Sequence, residues 1–303
     1  MSGGGSAAGV PWSAAELPLR RTRRLGRFRL HALEAGLQRL DGGAMFGVVP
    51  KPLWEKRIPA DERNRIPLAL RCLLVETPDA LVLIDTGVGN KGDAKFRDIY
   101  GVDNAGSPTR LEDALRDAGF GPEDVDAVVA THLHFDHAGG QTVRDEEGVL
   151  RLAFPRARYW VQAGEWRFAH RENERIRASY LPENYEPVER AGRLERVEGE
   201  REVVPGVRLV PTPGHTPHHQ VVLLESEGER ACFLGDLVPT TAHLPLAWIM
   251  AYDVEPLVTL ETKRAVLARA RREGWLLVFE HDPVVPWGRL DPESERPQLV
   301  PEP

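Results

Sequence analysis

The sequence is poor in the features that mark several classes of protein. Its only two cysteines, Cys72 and Cys232, stand far apart in apolar stretches, so neither a disulfide framework nor a cysteine-ligated metal is expected. No apolar run approaches the roughly 18 residues that span a bilayer, and the first residues lack the apolar core of a secretory signal. The formal net charge of −7 disfavours nucleic acid or an anionic membrane as partner. These absences favour a cytoplasmic protein that binds a small molecule; a homodimer is compatible with the sequence but not required by it.

The most informative segment is a dense group of metal-type side chains. His132, His134, Asp136 and His137 fall within six residues, directly after the apolar stretch 125–130. On an extended chain, residues two apart point to the same side, so His132 and His134 face one site. Imidazole and carboxylate are ligands that zinc, iron and manganese accept. Four such ligands are more than one tetrahedral site with an open position can take, so the spacing indicates two adjacent metals.

Three more metal-type residues each follow an apolar strand. The stretches 207–210, 231–235 and 275–280 lead to His215, Asp236 and His281, respectively. A single buried histidine or aspartate at a strand end is usually structural, satisfied by a backbone hydrogen bond. Four strand ends in series, each presenting such a residue, are not well explained in that way.

Taken together, HxHxDH, a Gly-His-Thr-Pro turn, a Leu-Gly-Asp strand end and a late histidine resemble the pattern of the metallo-β-lactamase-fold hydrolases. The resemblance covers roughly residues 26–290. It implies an α/β fold, an αββα sandwich of two mixed sheets packed face to face with helices outside. It also implies that Asp236 bridges two metals, the first bound by His132, His134 and His215 and the second by Asp136, His137 and His281. Asp85, in an Asp-Thr-Gly turn, either fits a family position that supports the site or is an ordinary turn residue.

A closer resemblance is to the YtnP-type quorum-quenching lactonases. It rests on residues 41–54, 64–66, 236–245 and 248–253. The better-known acyl-homoserine-lactone lactonases carry a tyrosine three residues after the bridging aspartate, where this chain has Pro239. The group that gives a proton to the leaving oxygen is therefore Asp136, His243, Tyr252 or water, and Asp136 ranks first because its place beside the metals needs no loop movement.

The ligand set predicts a metal-dependent hydrolase with two divalent cations, zinc being favoured over iron or manganese. A hydroxide bridging both cations would attack a small ester or lactone, preferably an N-acyl-homoserine lactone, with Asp136 and Asp236 as the catalytic carboxylates. No Gly-x-Ser-x-Gly elbow for a serine nucleophile occurs in the sequence. The alternative is a hydrolase of the same fold acting on aryl esters, phosphotriesters, β-lactams or thioesters. A catalytically silent ligand sensor is disfavoured by the complete ligand set.

Two apolar segments, 45–54 and 244–250, predict either a substrate wall or a packed loop base. The candidate pocket residues are Phe46, Trp54, His243, Trp248, Met250 and Tyr252. For His218 and His219, supporting or packing roles are favoured over metal ligation.

The organisation along the chain is a single domain over 26–290, preceded by a disordered arm over 1–25 and followed by a tail over 291–303. The arginine-rich stretch 20–24 is interpreted as part of the mobile arm. A helix is predicted over 107–118, with Ser107 as its N-cap and Gly119 as its stop. A second helix is predicted at the start of 163–175, followed by a loop or lid to about 200. A third helix is predicted over about 253–273.

Overall fold

Two seven-stranded sheets make up most of the computed structural model, which describes residues 10–104, 106, 108–294 and 296–302. The strands are β1 Arg20–Leu25, β2 Phe28–Asp41, β3 Arg65–Glu76, β4 Leu81–Ile84, β5 Ala127–Val129, β6 Thr142–Arg144, β7 Leu150–Leu152, β8 Arg158–Gln162, β9 Leu194–Val197, β10 Arg201–Val204, β11 Val207–Pro211, β12 Gln220–Ser226, β13 Glu229–Phe233, β14 Leu276–Val278, β15 Trp287–Leu290 and β16 Leu299–Pro301.

The helices lie between the strands and outside the sheets. They are α1 Gly42–Phe46, α2 Lys51–Trp54, α3 Ala94–Tyr100, α4 Arg110–Asp117, α5 Phe135–Ala138, α6 Ala163–Ala169, α7 Glu186–Arg190 and α8 Pro256–Glu273. Short 3₁₀ turns occur at Ala14–Glu16, Pro122–Asp124, Gly139–Gln141, Pro182–Asn184, Gly235–Leu237 and Thr241–His243. Among the described residues, no helix combines the length and the apolar character needed to cross a membrane.

Both sheets are mixed. The first has the order β1-β2-β3-β4-β5-β8-β9, antiparallel up to β4 and parallel from there on. The second runs from β10 to β16 in chain order, with one parallel pair, β13 and β14. The strands β6 and β7 form a separate hairpin.

The core between the sheets follows from the alternation of side chains along each strand. In β3, Leu73 and Val75 join the cluster that also contains Val222 and Phe233 of the second sheet. The intervening Leu74 points to the opposite face and packs in a second cluster with α4. Strand residues two apart share a face, so one apolar stretch supplies both layers.

The outer faces of the sheets are covered by helices. Leu111 and Leu115 of α4 pack on the first sheet, and Leu267 and Ala270 of α8 pack on the second. The predicted αββα sandwich is thus confirmed.

The chain termini differ from the prediction. In the arginine-rich stretch, β1 pairs along β2, and Leu25 is fully buried. Near the other end, β16 pairs with β15, and Glu302 contacts Arg23 and Arg289. An edge strand can carry charged side chains on its solvent side, so a run of arginines does not exclude a strand. The sheets therefore extend into both segments that the sequence analysis treats as arm and tail.

Two local predictions also need correction. Ser107 lies outside the described residues, and the N-cap of α4 is Thr109, which forms a capping box with Glu112. After α6, the predicted loop or lid contains α7 and the parallel edge strand β9. The last long helix, α8, begins at Pro256 and is closed by Gly274 in the left-handed conformation.

Candidate metal centre

The topology brings the metal-type residues to one edge of the sandwich. In the first sheet β4 and β5 are parallel, and Asp85 and the HxHxDH segment follow their carboxyl ends. In the second sheet β11, β13 and β14 all run in one direction, and His215, Asp236 and His281 follow their carboxyl ends. Side chains that are distant in sequence therefore converge where these strands end.

The first group consists of His132, His134, His215 and Asp236, whose donor atoms all lie within 4.8 Å of one another. Nε2 of His215 is 3.2 Å from Nδ1 of His134 and 3.0 Å from Oδ2 of Asp236. Nε2 of His132 is 3.9 Å from the same carboxylate oxygen. This spacing suits four ligands around one small cation.

The second group consists of Asp136, His137 and His281. The Nε2 atoms of His137 and His281 are 3.3 Å apart, and each is 3.8 Å from an oxygen of Asp136. Asp236 faces this group as well, since its Oδ1 is 3.2 Å from Nε2 of His281 and its Oδ2 is 3.5 Å from Nε2 of His137. Asp236 thus lies between the two groups, which is the position of a bridging ligand.

Polar groups behind the ligands fix the direction of the rings. Nδ1 of His215 is 2.9 Å from Oδ1 of Asp253, and Nδ1 of His281 donates to the carbonyl of Ala69 at 2.8 Å. In both rings the Nε2 atom is left to face the centre. Gln38 donates from Nε2 to Oδ2 of Asp136 at 2.6 Å. Such partners fix the tautomer and orientation of a metal ligand.

His137 lies against two buried carboxylates. Its Nδ1 is 3.1 Å from Asp85 and 3.0 Å from Glu280. Asp85 also accepts hydrogen bonds from the backbone and the hydroxyl of Thr131, both at 2.7 Å. It adopts a left-handed backbone conformation, with a φ of 55°, which is uncommon for a residue other than glycine. Of the two interpretations of Asp85, the structure favours the one in which it supports the site.

Glu165, at the start of α6, holds both halves of the centre. It accepts hydrogen bonds from the backbone of Leu133 at 3.1 Å, from Tyr180 at 2.7 Å and from Thr216 at 2.7 Å. Leu133 lies between two metal-type histidines of the first sheet, and Thr216 follows His215 of the second. One fully buried carboxylate therefore ties the two loops together.

The histidine pair after His215 has a supporting role. His219 is buried and accepts from the backbone N–H of Asp236 through Nε2, while its Nδ1 lies 2.9 Å from the hydroxyl of Thr212. An Nε2 atom that accepts leaves the proton on Nδ1, so the ring is neutral; burial lowers its pKa to about 3. His218 packs against Gly164, where a Cβ would lie 2.2 Å from the imidazole. Neither ring belongs to the two groups of donor atoms.

The carboxylates control the electrostatics of the centre. Burial lowers the pKa of His215, but Asp236 and Asp253 outweigh burial and raise that pKa to about 10. Burial also lowers the pKa of His281, but Asp236 outweighs burial and raises that pKa to about 9. For Asp236 itself, burial raises the pKa, and the surrounding histidines outweigh it and hold the pKa well below its usual range. Asp236 is therefore an ionised carboxylate at the midpoint of the centre.

Two donor atoms of the centre lack a hydrogen bond. Within the described part of the chain, Nε2 of His132 and Oδ1 of Asp236 are buried and have no hydrogen-bond partner. A buried polar atom left unsatisfied costs about 1–3 kcal/mol. Both atoms face the cluster, where a cation would satisfy them, so the donor set fits divalent metal ions.

A cleft of about 320 Å³ opens onto this centre. Its floor includes His134, Asp136, His215, Asp236 and His281. Its walls are mostly apolar and include Leu40, Met45, Leu68, Phe135, Met250 and Val254. A mostly apolar cleft with a few convergent polar groups is the usual form of a small-molecule site.

The predicted pocket residues divide into two sets. Met250 and Tyr252 line the cleft. Phe46, Trp54 and His243 are buried behind it, where Phe46 stacks on Trp54 at 5.3 Å and on His243 at 4.5 Å.

Trp248 meets Phe46 edge-on at 5.8 Å, and it faces a second surface groove rather than the metal cleft. His243 uses both ring nitrogens, one with the hydroxyl of Thr240 at 2.7 Å and one with the carbonyl of Met45 at 2.8 Å. The structure corrects the assignment of Phe46, Trp54, His243 and Trp248 to the pocket. Because these aromatic rings pack against one another, their faces are covered by protein and they support the cleft wall from behind.

Several cleft residues carry no recognisable signal in the sequence. Tyr100, Arg175, Ile176 and Ser179 line the cleft. Gln38 reaches Asp136 from the middle of β2. None of them lies in a recognisable motif, and their proximity to the centre depends on how α3 and the segment after α6 fold back across the sheet edge.

Comparison with known proteins agrees with this geometry. The family model of the metallo-β-lactamase superfamily matches residues 66–281. An N-acyl homoserine lactonase of a Bacillus species is 35% identical over 168 residues, which cover 53% of this chain and 60% of that protein. The match thus spans less than two thirds of the relative.

Two solved structures extend the comparison. A probable metal-dependent hydrolase from Staphylococcus aureus is 32% identical, with a TM-score of 0.85, covering 92% of this chain and 99% of the other. A mutant of AiiA from Bacillus thuringiensis, with N-decanoyl-L-homoserine bound at its active site, is 26% identical with a TM-score of 0.63 over 86% of this chain and 94% of the other. Together with the superfamily match, these similarities show that the chain belongs to the metallo-β-lactamase superfamily.

Proposed function

We propose that this hydrolase is a dizinc lactonase that opens N-acyl-homoserine lactones. The observation that supports this most is the cleft itself, which has seven imidazole and carboxylate groups at or below its floor and mostly apolar walls. A lactone ring would reach the floor, and its acyl chain would lie along the walls. Lactonase relatives, and the N-decanoyl-L-homoserine bound to AiiA, support the same substrate class.

The donor set supports two cations rather than one. Three imidazoles and a carboxylate form the first site, two imidazoles and two carboxylates form the second, and Asp236 is shared. Zinc accepts both ligand types and favours four-fold coordination, which makes it the first choice; iron and manganese accept them too. The proposed ligands are His132, His134, Asp136, His137, His215, Asp236 and His281.

Two divalent cations bound there would activate a water molecule as nucleophile and polarise the lactone carbonyl. The side chains of the protein do the rest. Asp253 and the carbonyl of Ala69 keep the Nε2 atoms of His215 and His281 directed at the floor. Gln38 keeps Asp136 in place through its hydrogen bond. The apolar walls exclude bulk water and orient the acyl chain.

Hydrolysis of an acyl-homoserine lactone destroys a bacterial signal, so the proposed activity would be quorum quenching. The test is a comparison of kcat/KM on zinc-loaded protein. The panel contains N-acyl-homoserine lactones from butanoyl to dodecanoyl, paraoxon, an aryl ester, a thioester and nitrocefin. Protein stripped of metal with a chelator is the control.

We expect kcat/KM for at least one lactone to reach about 10⁴ M⁻¹s⁻¹ or more, the lower end of ordinary enzymes, and to exceed the values for the other classes. If every lactone were orders of magnitude below that value while another class exceeded it, the lactonase proposal would be abandoned. The assignment to the metal-dependent hydrolases would remain.

A further inference from the structure

Opening a lactone requires a donor for the leaving oxygen. Addition of hydroxide to the carbonyl carbon is followed by cleavage of the ring C–O bond, and the oxygen that leaves must take a proton to give the hydroxy acid. A positioned donor contributes typically 10²–10⁴-fold to such a step. The question is which residue of the cleft can donate.

Two of the sequence-based candidates are poorly placed. Asp136 accepts the amide hydrogen of Gln38 at Oδ2, and its oxygens face His281 and His137 of the centre. It is engaged as an acceptor and a ligand. His243 is fully buried behind the wall, with both ring nitrogens occupied.

Tyr100 is a cleft residue with a free hydroxyl. It lines the cleft, and no group in the described part of the chain hydrogen-bonds its oxygen. Burial, followed by the negative charge of Asp136, raises its pKa, so the phenol keeps its proton at neutral pH. The ring of Tyr100 contacts that of Phe135, the residue directly before Asp136, so Tyr100 lies on the side of the cleft where the second group of ligands lies.

The position of Tyr100 is fixed by its surroundings. Its ring packs at 4.7 Å from Phe96 and at 4.6 Å from Phe135, the residue directly before Asp136. The helix α3 ends immediately after it at Gly101, in the left-handed conformation, where a Cβ would lie 2.7 Å from Cβ of Arg39. A donor held by packed rings loses little freedom when substrate binds, which is what an effective catalytic group requires.

We propose that Tyr100 donates the hydrogen bond, and then the proton, to the leaving oxygen of the lactone. The tyrosinate formed takes a proton back from water. This inference rests on the proposed lactonase function. The other cleft phenol, Tyr252, is 40% exposed on a loop, and within the described residues no aromatic ring packs against it. Tyr252 is therefore the competing candidate. The matched control is Tyr185, which does not line the cleft and whose hydroxyl donates to the carbonyl of Ala169 at 3.3 Å.

The experiment compares Tyr100→Phe with the control Tyr185→Phe and with the competing candidate Tyr252→Phe on zinc-loaded protein. Each change removes one hydroxyl and keeps the ring, and zinc content and thermal unfolding are recorded for each variant. The substrates are an acyl-homoserine lactone, which expels a poor alkoxide, and a series of aryl esters ending at 4-nitrophenyl acetate, whose leaving group needs no proton. If the enzyme acts on aryl esters only, that series still tests the donor through the dependence of kcat on leaving-group pKa.

For Tyr100→Phe we expect kcat on the lactone to fall by about 10²-fold with little change in KM, whereas the 4-nitrophenyl ester is hydrolysed nearly as before. Across the aryl series, the dependence of kcat on leaving-group pKa becomes steeper. Tyr185→Phe should change neither, and Tyr252→Phe should not steepen the dependence of kcat on leaving-group pKa. An equal loss on all substrates, no loss at all, or a lactone-selective loss in Tyr252→Phe would each overturn the assignment to Tyr100.

Discussion

Glu165 offers the clearest test of how the two halves of the centre are held together. Glu165→Ala removes the acceptor for the backbone N–H of Leu133 and for the hydroxyls of Tyr180 and Thr216. All of these partners lie in buried surroundings, so water replaces the carboxylate incompletely. The change affects the loops on both sides of the metal groups without touching a proposed ligand.

The expected magnitude follows from the number of donors left without an acceptor. Each buried donor left unsatisfied costs about 1–3 kcal/mol, and the two hydroxyls can partly reorient, so we expect a loss of about 4 kcal/mol. An unfolding entropy of about 2.1 cal/mol/K per residue converts this loss to about 6 °C in Tm for a chain of 303 residues. Displacement of the histidine loops should also weaken zinc binding by about 10–100-fold.

The assay is thermal unfolding of metal-free protein together with zinc titration against a competing chelator. Glu198→Ala is the control, because Glu198 is 79% exposed and its ion pair with Arg167 spans 3.6 Å. Glu165→Gln keeps one acceptor oxygen and should lie between the wild type and Glu165→Ala, which provides a measurement if the alanine variant does not fold. A Tm change below about 2 °C together with unchanged zinc affinity would refute the proposed role of Glu165.

The remaining predictions concern the bridging carboxylate, the His215 turn and a buried neutral histidine. Asp236→Ala should lower activity by orders of magnitude and reduce the bound zinc measured by elemental analysis, because both groups lose a ligand; retention of full zinc content would contradict this. His218→Ala should be much milder than His215→Ala in kcat/KM, and equal losses would show that the ligand in this turn is wrongly assigned. Burial lowers the pKa of His243 to about 3, so between pH 6.5 and 3 the unfolded chain binds more protons there and stability falls as pH falls. Urea unfolding of metal-free protein should show a loss of about 3 kcal/mol between pH 6.5 and 4 that is largely absent in His243→Gln, and the same loss in both proteins would exclude this residue as its source.

The sequence was most informative where one short motif and a strand pattern coincide. Each proposed ligand follows a strand, and the carboxyl ends of strands that run in one direction meet at one edge, so their convergence follows from topology. The two sheets and the outer helices were expected from the family resemblance. The nearly continuous apolar run of β3 agrees with them, because a strand that is apolar on both faces needs both faces covered.

The predictions failed where tertiary packing outweighs local composition. The arginines of β1 resemble a mobile arm, yet all six residues of β1 pair with β2, and Leu25 at its end is fully buried. Phe46 and Trp54 resemble a substrate wall, yet they stack on each other and on His243. Tyr100 carried no signal, because its place in the cleft depends on packing against Phe135, a contact between residues far apart in the sequence.

The central claim is that two metal ions and the seven proposed ligands form one hydrolytic centre. The most direct measurement is the titration of metal-free protein with zinc, following lactone hydrolysis and the zinc content of each chain together. Activity should rise to its maximum only as the second equivalent binds, and it should remain there. Full activity at one zinc per chain would contradict the dinuclear centre.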